Sequence, residues 1–413
     1  MPARSRATAP ADRSRLAVIF VTVLIDLIGF GIVLPILPMY AQRLGAQGIG
    51  YGALVFVFSA MQFLSTALLG RLSDRLGRRP ILLTTMVINA LGYTLFAFAP
   101  SYAALFVARV ISGFASGNIS AAQAYVADIT PPAERARGMG LIGAAFGIGF
   151  VLGPLIGGLA GHYLGPRAPG LIAAALSVIN FFSASVILRE SLAAEHRATR
   201  PLFDFGHMAD ALARPELRPL MLVWFFAPFA FAGYTVALPL HVSKAFGWGA
   251  KELGWLFVVI GAVAAVVQGF LFGRLERRTG ARALLILGLF GMGLSIAAVP
   301  YAGTSLLVYA WTVPLAFANS IFAPAASGLV SVYAGVSEQG TILGAAQAFA
   351  ALGRSFGPLA AGWAYDDLGG QGAFLLAGAV MVVGGLAGIR LRAQMRDNLD
   401  AQTQQTHRGE QQE

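Results

Sequence analysis

Of the chain's 413 residues, 57% are hydrophobic and only 12% charged, and the mean hydropathy is +0.71. A soluble domain is roughly a quarter charged, so this composition excludes a string of soluble domains and makes lipid the expected solvent. Cysteine is absent, which excludes a disulfide framework and thiolate metal sites. The net charge of +10 would suit nucleic acid, but its distribution gives it another meaning.

Residues 1–15 are a basic tail ahead of a long apolar run. That run has no small-residue cleavage pattern and leads into further apolar runs, so it reads as a first membrane helix and not as a removed leader. A spanning helix needs about 20 mostly apolar residues to cross ~30 Å of hydrocarbon. Twelve segments qualify: 16–38, 51–69, 80–99, 101–127, 138–160, 168–188, 217–241, 252–273, 283–300, 304–330, 340–364 and 371–391. The runs are continuous and do not alternate, which predicts helices and excludes a barrel of ten-residue strands. The fold class is therefore all-α and integral to the membrane. It divides into a tail (1–15), a six-helix bundle (16–188), a linker (189–216), a second six-helix bundle (217–391) and a disordered tail (392–413).

Basic residues collect in the inside loops of membrane proteins. With the N-terminus inside, 23 of the 29 Lys and Arg fall in inside segments. Only Arg43, Lys244, Lys251 and Arg167 fall outside, and Arg109 and Arg354 lie within membrane segments. The charge is a topology signal with both termini cytoplasmic, and no nucleic-acid partner is needed to explain it.

A charged knot, GRLSDRLGRRP at 70–80, separates the second and third segments, and a blurred copy, GRLERRTGARA, stands at 273–283. Gly70 and Gly77 match Gly273 and Gly280 at an offset of 203. Glu134 and Gly153-Pro154 match Glu338 and Gly357-Pro358 at an offset of 204. Two such pairs indicate an internal repeat of six helices. Two similar bundles suggest a central cavity that opens to alternate sides. The knot's arginines suit a positive-inside anchor, which leaves Asp74 unexplained.

Asp26 lies ten residues into the first segment, ~15 Å deep at 1.5 Å per residue. Intramembrane carboxylates are costly and functional by default. Loss of water disfavours the charged form, so Asp26 is the candidate for loading and releasing a proton; the alternative is a structural partner for an arginine. Arg109, eight residues into the antiparallel fourth segment, reaches a similar depth and could meet Asp26 as a pair or through substrate. Arg354 is also at mid-depth, in a structural or a substrate-binding role. Gly149, Gly153, Gly157 and Gly161 recur every fourth residue and offer a smooth face for close helix packing. Asn118, Gln123, Gln268, Asn319 and Gln347, with the aromatic run at 224–234 that opens on Trp224 and Phe225, could line a cavity for flat, lipophilic molecules. The five histidines are not paired at metal spacing, and neither a P-loop nor a G-x-S-x-G pattern occurs, so enzyme chemistry and ATP-driven transport are not expected.

With these features the chain resembles the major facilitator superfamily, most closely the twelve-helix drug:proton antiporters and, among them, bacterial tetracycline-efflux proteins. The resemblance covers about residues 16 to 390. It rests on DLIGFGIVLPILP (26–38), the knot, ARVISGFASG (108–117) and GAAFGIGFVLGPLIGG (143–158), in the expected order. It implies a cytoplasmic gate of Gly70, Asp74, Arg75, Gly77, Arg78 and Arg79, with Asp128 as the carboxylate at the end of the fourth helix. It also implies an antiporter motif of Gly143, Gly147, Gly149, Gly153, Pro154, Gly157 and Gly158 that seals the interface between the halves.

The implied function is proton-coupled export of drugs or other lipophilic small molecules. The proton gradient is the energy source, with no cofactor or metal, and the protein works as a monomer in a bacterial inner membrane. A proton-coupled carrier of a metabolite such as a sugar or organic acid is the alternative. Tetracycline pumps are expected to carry further acidic residues in helices 3 and 9. Segments 86–98 and 284–300 hold none, so a broader drug or metabolite exporter is the better fit.

Overall fold

The computed structural model describes residues 13–131, 134–192, 206–333 and 338–410; the remainder, including 193–205 of the expected linker, lies outside the described residues. Every regular element described is helical. Eleven helices are long and apolar enough to cross a membrane. The helix covering the remaining expected span, 340–364, forms at full length but misses that standard, because Arg354, Gln347, Thr341 and Ser355 interrupt a stretch made mostly of Ala and Gly.

One compact unit contains residues up to Asp204 together with Val242–Gly261. Its helices are α1 (Arg13–Val33), α2 (Leu37–Arg43), α3 (Gly48–Leu76), α4 (Arg78–Ala97), α5 (Tyr102–Ala115), α6 (Ile119–Ile129), α7 (Arg135–Tyr163) and α8 (Ala168–Ile187). A 3₁₀ turn, Ser116–Asn118, breaks the fourth spanning helix into α5 and α6. Ile19, Val23, Leu82, Met86, Tyr125 and Val126 form its core beside the charged knot. Val186 is 84% exposed, as an apolar side chain on a lipid-facing surface should be.

The second unit contains Phe205–His241 and the chain from Ala262 onward. It includes α9 (Gly206–Ala213), most of α10 (Arg218–Phe246) and the end of α11 (Ala250–Val266). A π-helical turn, Val267–Leu271, leads into α12 (Phe272–Thr279), then α13 (Ala281–Ala298), α14 (Ser305–Tyr333), α15 (Gln339–Asp367) and α16 (Gly369–Glu410). Leu285, Leu289, Met292, Phe374 and Met381 are buried in its core.

Within the linker stands a helix, α9, and Arg214 beyond its end forms a bidentate pair with Glu338, the residue before α15 (2.7 and 3.2 Å). Residues 392–410 continue α16 where a disordered tail was expected; that stretch has neither proline nor an interior glycine before Gly409 to stop the helix. Val242–Gly261, from the second expected bundle, groups with the first unit by its contacts, and Gly158 and Gly254 bring α7 and α11 together.

The repeat is visible in the backbone. Gly77 (φ 110°, ψ 156°) and Gly280 (φ 79°, ψ 151°) end α3 and α12 in the same glycine-only region. Glu134 and Glu338 occupy the same position before α7 and α15, each 29 residues long with a proline inside.

Candidate functional site

Asp26 meets a polar stripe on α4. Thr85, Asn89 and Tyr93 are spaced four residues apart, so they share one face of that helix, and each is 1% exposed. The Asn118 amide donates to Asp26 Oδ2 at 2.7 Å and to Thr85 Oγ1 at 3.2 Å. Thr85 donates to the Leu82 carbonyl at 2.9 Å. Asp26 Oδ1, Asn89 Oδ1 and the Tyr93 hydroxyl are out of solvent contact and have no hydrogen-bond partner. The Tyr93 ring packs on Gly29, one turn along from Asp26, where an added Cβ would lie 3.1 Å from its hydroxyl. Such a set of uncompensated buried groups is rare and needs a reason.

Arg109 on α5 is buried at 3% exposure. Its Nε donates to the Leu54 carbonyl at 3.3 Å, and its guanidinium lies 4.1 Å from the Phe58 ring centroid. A ring face and a carbonyl dipole hold this cation. No ion pair joins Arg109 to Asp26, so the direct pair raised by the sequence is not formed; Tyr93 lies within electrostatic reach of both.

The knot is a built cluster. Gly77 ends α3 and Arg78 opens α4, with its side chain 9% exposed. Arg78 Nη1 lies 2.5 Å from Asp74 Oδ1 and donates to Ser73 Oγ at 2.6 Å, and Arg78 Nε reaches Asp128 Oδ2 at 3.2 Å. Gly70 lets α3 approach Ser120 of α6, whose Oγ would be 3.1 Å from an added Cβ. Arg79 donates to the Ser185 carbonyl at 2.7 Å.

Glu190, read from sequence as the start of the linker, completes this cluster. Its carboxylate accepts from the Arg78, Arg79, Ser191 and Leu192 amides at 2.9–3.2 Å, and so caps the start of α4 with negative charge. Ser191 Oγ donates to Asp128 Oδ2 at 3.0 Å. Its one sequence signal was a lone acid where the chain leaves the eighth helix, close to no carboxylate-binding motif.

The glycine stripe of α7 packs mainly on α1. Gly149 meets Leu27, Gly153 meets Gly31 and Gly157 meets the Ile32 carbonyl, so the stripe packs α7 on α1 within one unit. An added Cβ at Gly153 would lie 2.7 Å from Gly31 Cα. Pro154 and Gly158 approach Gly254 of α11, whereas a Cβ added at Gly143 or Gly147 would enter open space.

The expected cavity residues disperse. Asn118 serves Asp26, while Gln123 on α6 is exposed. In the second unit Trp224 is buried, Phe225 stacks edge-on to Phe226 at 5.4 Å, and Gly353 of α15 packs against the backbone of Phe225. Gln268 lies exposed in the π turn, Asn319 is half-buried and Gln347 is exposed. Arg354 is exposed midway along α15, and no ion pair among the described residues includes it.

Comparison with known proteins agrees with this architecture. The family model for the Major Facilitator Superfamily matches residues 19–266 and 220–410. The chain is 32% identical over 423 residues to the human major facilitator superfamily domain-containing protein 10, covering 88% of this chain and 90% of that one. It is 31% identical over 354 residues to the class C tetracycline resistance protein of Escherichia coli, covering 84% and 89%. The crystal structure of the human organic anion transporter MFSD10 superposes with a TM-score of 0.68 at 27% identity, covering 92% of this chain and all of that one. The chain is a multi-pass membrane protein and belongs to the Major Facilitator Superfamily of transporters.

Proposed function

We propose that the protein is a proton-coupled antiporter that exports lipophilic small molecules by alternating access. One observation carries this reading: a carboxylate in the middle of α1 is held by an amide and not by a cation, and its second oxygen is buried without a donor. A carboxyl group so placed costs little to protonate and much to keep ionised without a partner. Resemblance to tetracycline-resistance proteins supports export. The proton gradient supplies the energy, with no cofactor, metal or nucleic acid. The protein works as a monomer in a bacterial cytoplasmic membrane with both termini inside, an orientation that its basic loops support.

A second reading concerns the substrate's charge. Arg354 sits between Glu338 and Asp366 with no acidic residue in the intervening 27 positions. Among the described residues Arg354 has no carboxylate partner; such an intramembrane cation favours substrates that bring an anion, and a related structure is that of an organic anion transporter. The test is a panel containing a lipophilic dye cation (ethidium), a dye anion (carboxyfluorescein) and neutral drugs. It is applied to everted vesicles from a host lacking its own pumps, with an internal pH dye. Protein-dependent loss of the pH gradient on adding a panel member is expected. Loss with none of them, alongside uptake of a nutrient by cells, would favour the metabolite carrier.

A further inference from the structure

We propose that α6 is a connecting rod that reports the protonation of Asp26 to the charged knot, with Asn118 as the positioning residue at its inner end. The proposal rests on the reading of Asp26 as the proton site. The eleven residues of α6 span about 16 Å. Contacts at its two ends are of different kinds. Asn118, the residue before its first turn, bonds Asp26 and Thr85. Asp128, in its last turn, holds Arg78 and accepts from Ser191. A single rigid element therefore carries both the contact to the proton site and a carboxylate of the knot.

Its α3 side carries small contacts, while Tyr125 and Val126 are packed in the core. Gly117, in the 3₁₀ turn just before α6, packs on Ser65 and Thr66, and Ser120 of α6 donates to the Thr66 carbonyl at 2.9 Å and faces Gly70. Small contacts of this kind resist sliding less than interlocked large side chains do. The 3₁₀ turn at Ser116–Asn118 frees α6 from α5, and such a mid-helix break is a common hinge. Beyond the far end, Thr130 is 4% exposed, and its Oγ1 would lie 3.2 Å from a Cβ added at Gly138 of α7.

While Asp26 is ionised, its bond to the Asn118 amide is charge-assisted and holds the turn in place. Protonation leaves a neutral bond of roughly half the strength. The turn then relaxes and α6 shifts, which draws Asp128 away from Arg78. A small displacement suffices because packed interfaces switch between discrete arrangements.

The chain has no cysteine, so a single Thr130→Cys reporter reads this position alone by its maleimide labelling rate in the full-length protein. At one pH, Asp26→Asn imitates the protonated acid. It should raise the labelling rate about fivefold, the lower end of couplings between linked sites. In an Asn118→Leu background the same substitution should change the rate by less than about twofold. Should Asn118→Leu fail to fold, Thr85→Val removes the second anchor of the amide and should also shrink the response. A fivefold response that survives both substitutions would overturn the rod, as would no response to Asp26→Asn in the parent. Failure of the proton site itself reads out separately, as uphill transport by Asp26→Asn in vesicles.

Discussion

The knot at 70–80 and its copy at 273–283 share a backbone but not a mechanism. Both end a helix on a glycine with positive φ, at 110° and 79°. In the knot Arg78 is 7% exposed and engages two carboxylates and a serine. At the matching positions of the copy stand Ala281 for Arg78, Arg277 for Asp74 and Val332 for Asp128. No residue of α12 is buried, and Val332 is 64% exposed. Arg274 there turns back to its own helix, donating to the Phe270 carbonyl at 2.5 Å. Duplication has thus kept the turn, which sterics enforce, whereas the Arg78, Asp74 and Asp128 set is not repeated at the matching positions.

Removing the hub should have the largest effect. Arg78→Ala takes the shared guanidinium from Asp74, Asp128 and Ser73 and should cost about 3 kcal/mol, the upper end for hydrogen bonds to charged groups. Arg277→Ala in the copy should stay within about 0.5 kcal/mol, as surface substitutions do. Thermal unfolding in detergent compares the two, and equal losses would erase the asymmetry. Gly77→Ala follows at about 2 kcal/mol for a strained backbone. Gly280→Ala suffers similar strain, but its Cβ enters open space whereas that at Gly77 strikes the Glu190 carboxylate. The first should therefore be the more destabilising.

Glu190→Gln weakens the cap on α4 and should cost about 1 kcal/mol, with no equivalent cost in the copy. The smallest effect belongs to the second unit. Arg214, by hydrogen bond and then by charge, holds the exposed Glu338 carboxyl below its ordinary value of 4.5. A group shifted down contributes stability above its unfolded value and loses it as the pH falls through the folded one. Glu338→Gln should differ slightly from the parent at neutral pH, and the gap should close below about pH 4.

The helices, the repeat and the turn glycines were legible because hydropathy, offset and backbone sterics are local properties. The partners of those elements were not. Asn118 finds Asp26 across 92 residues, and Glu190 finds the Arg78 amide across 112. No sequence spacing encodes either meeting. The α7 glycine stripe announces close packing but not its partner, which is α1. Arg109 and Asp26 share a depth, yet Phe58 and the Leu54 carbonyl satisfy the cation first. The α16 extension escaped because composition speaks to solubility while helix propensity speaks to backbone.

The most direct measurement is pH-gradient-driven accumulation of an active panel dye in proteoliposomes, comparing the parent with Asp26→Asn. The parent should concentrate the dye when the gradient is imposed. Asp26→Asn should still equilibrate it but not concentrate it. Accumulation by Asp26→Asn at the parent's level would contradict the assignment of Asp26 as the proton-coupling carboxylate.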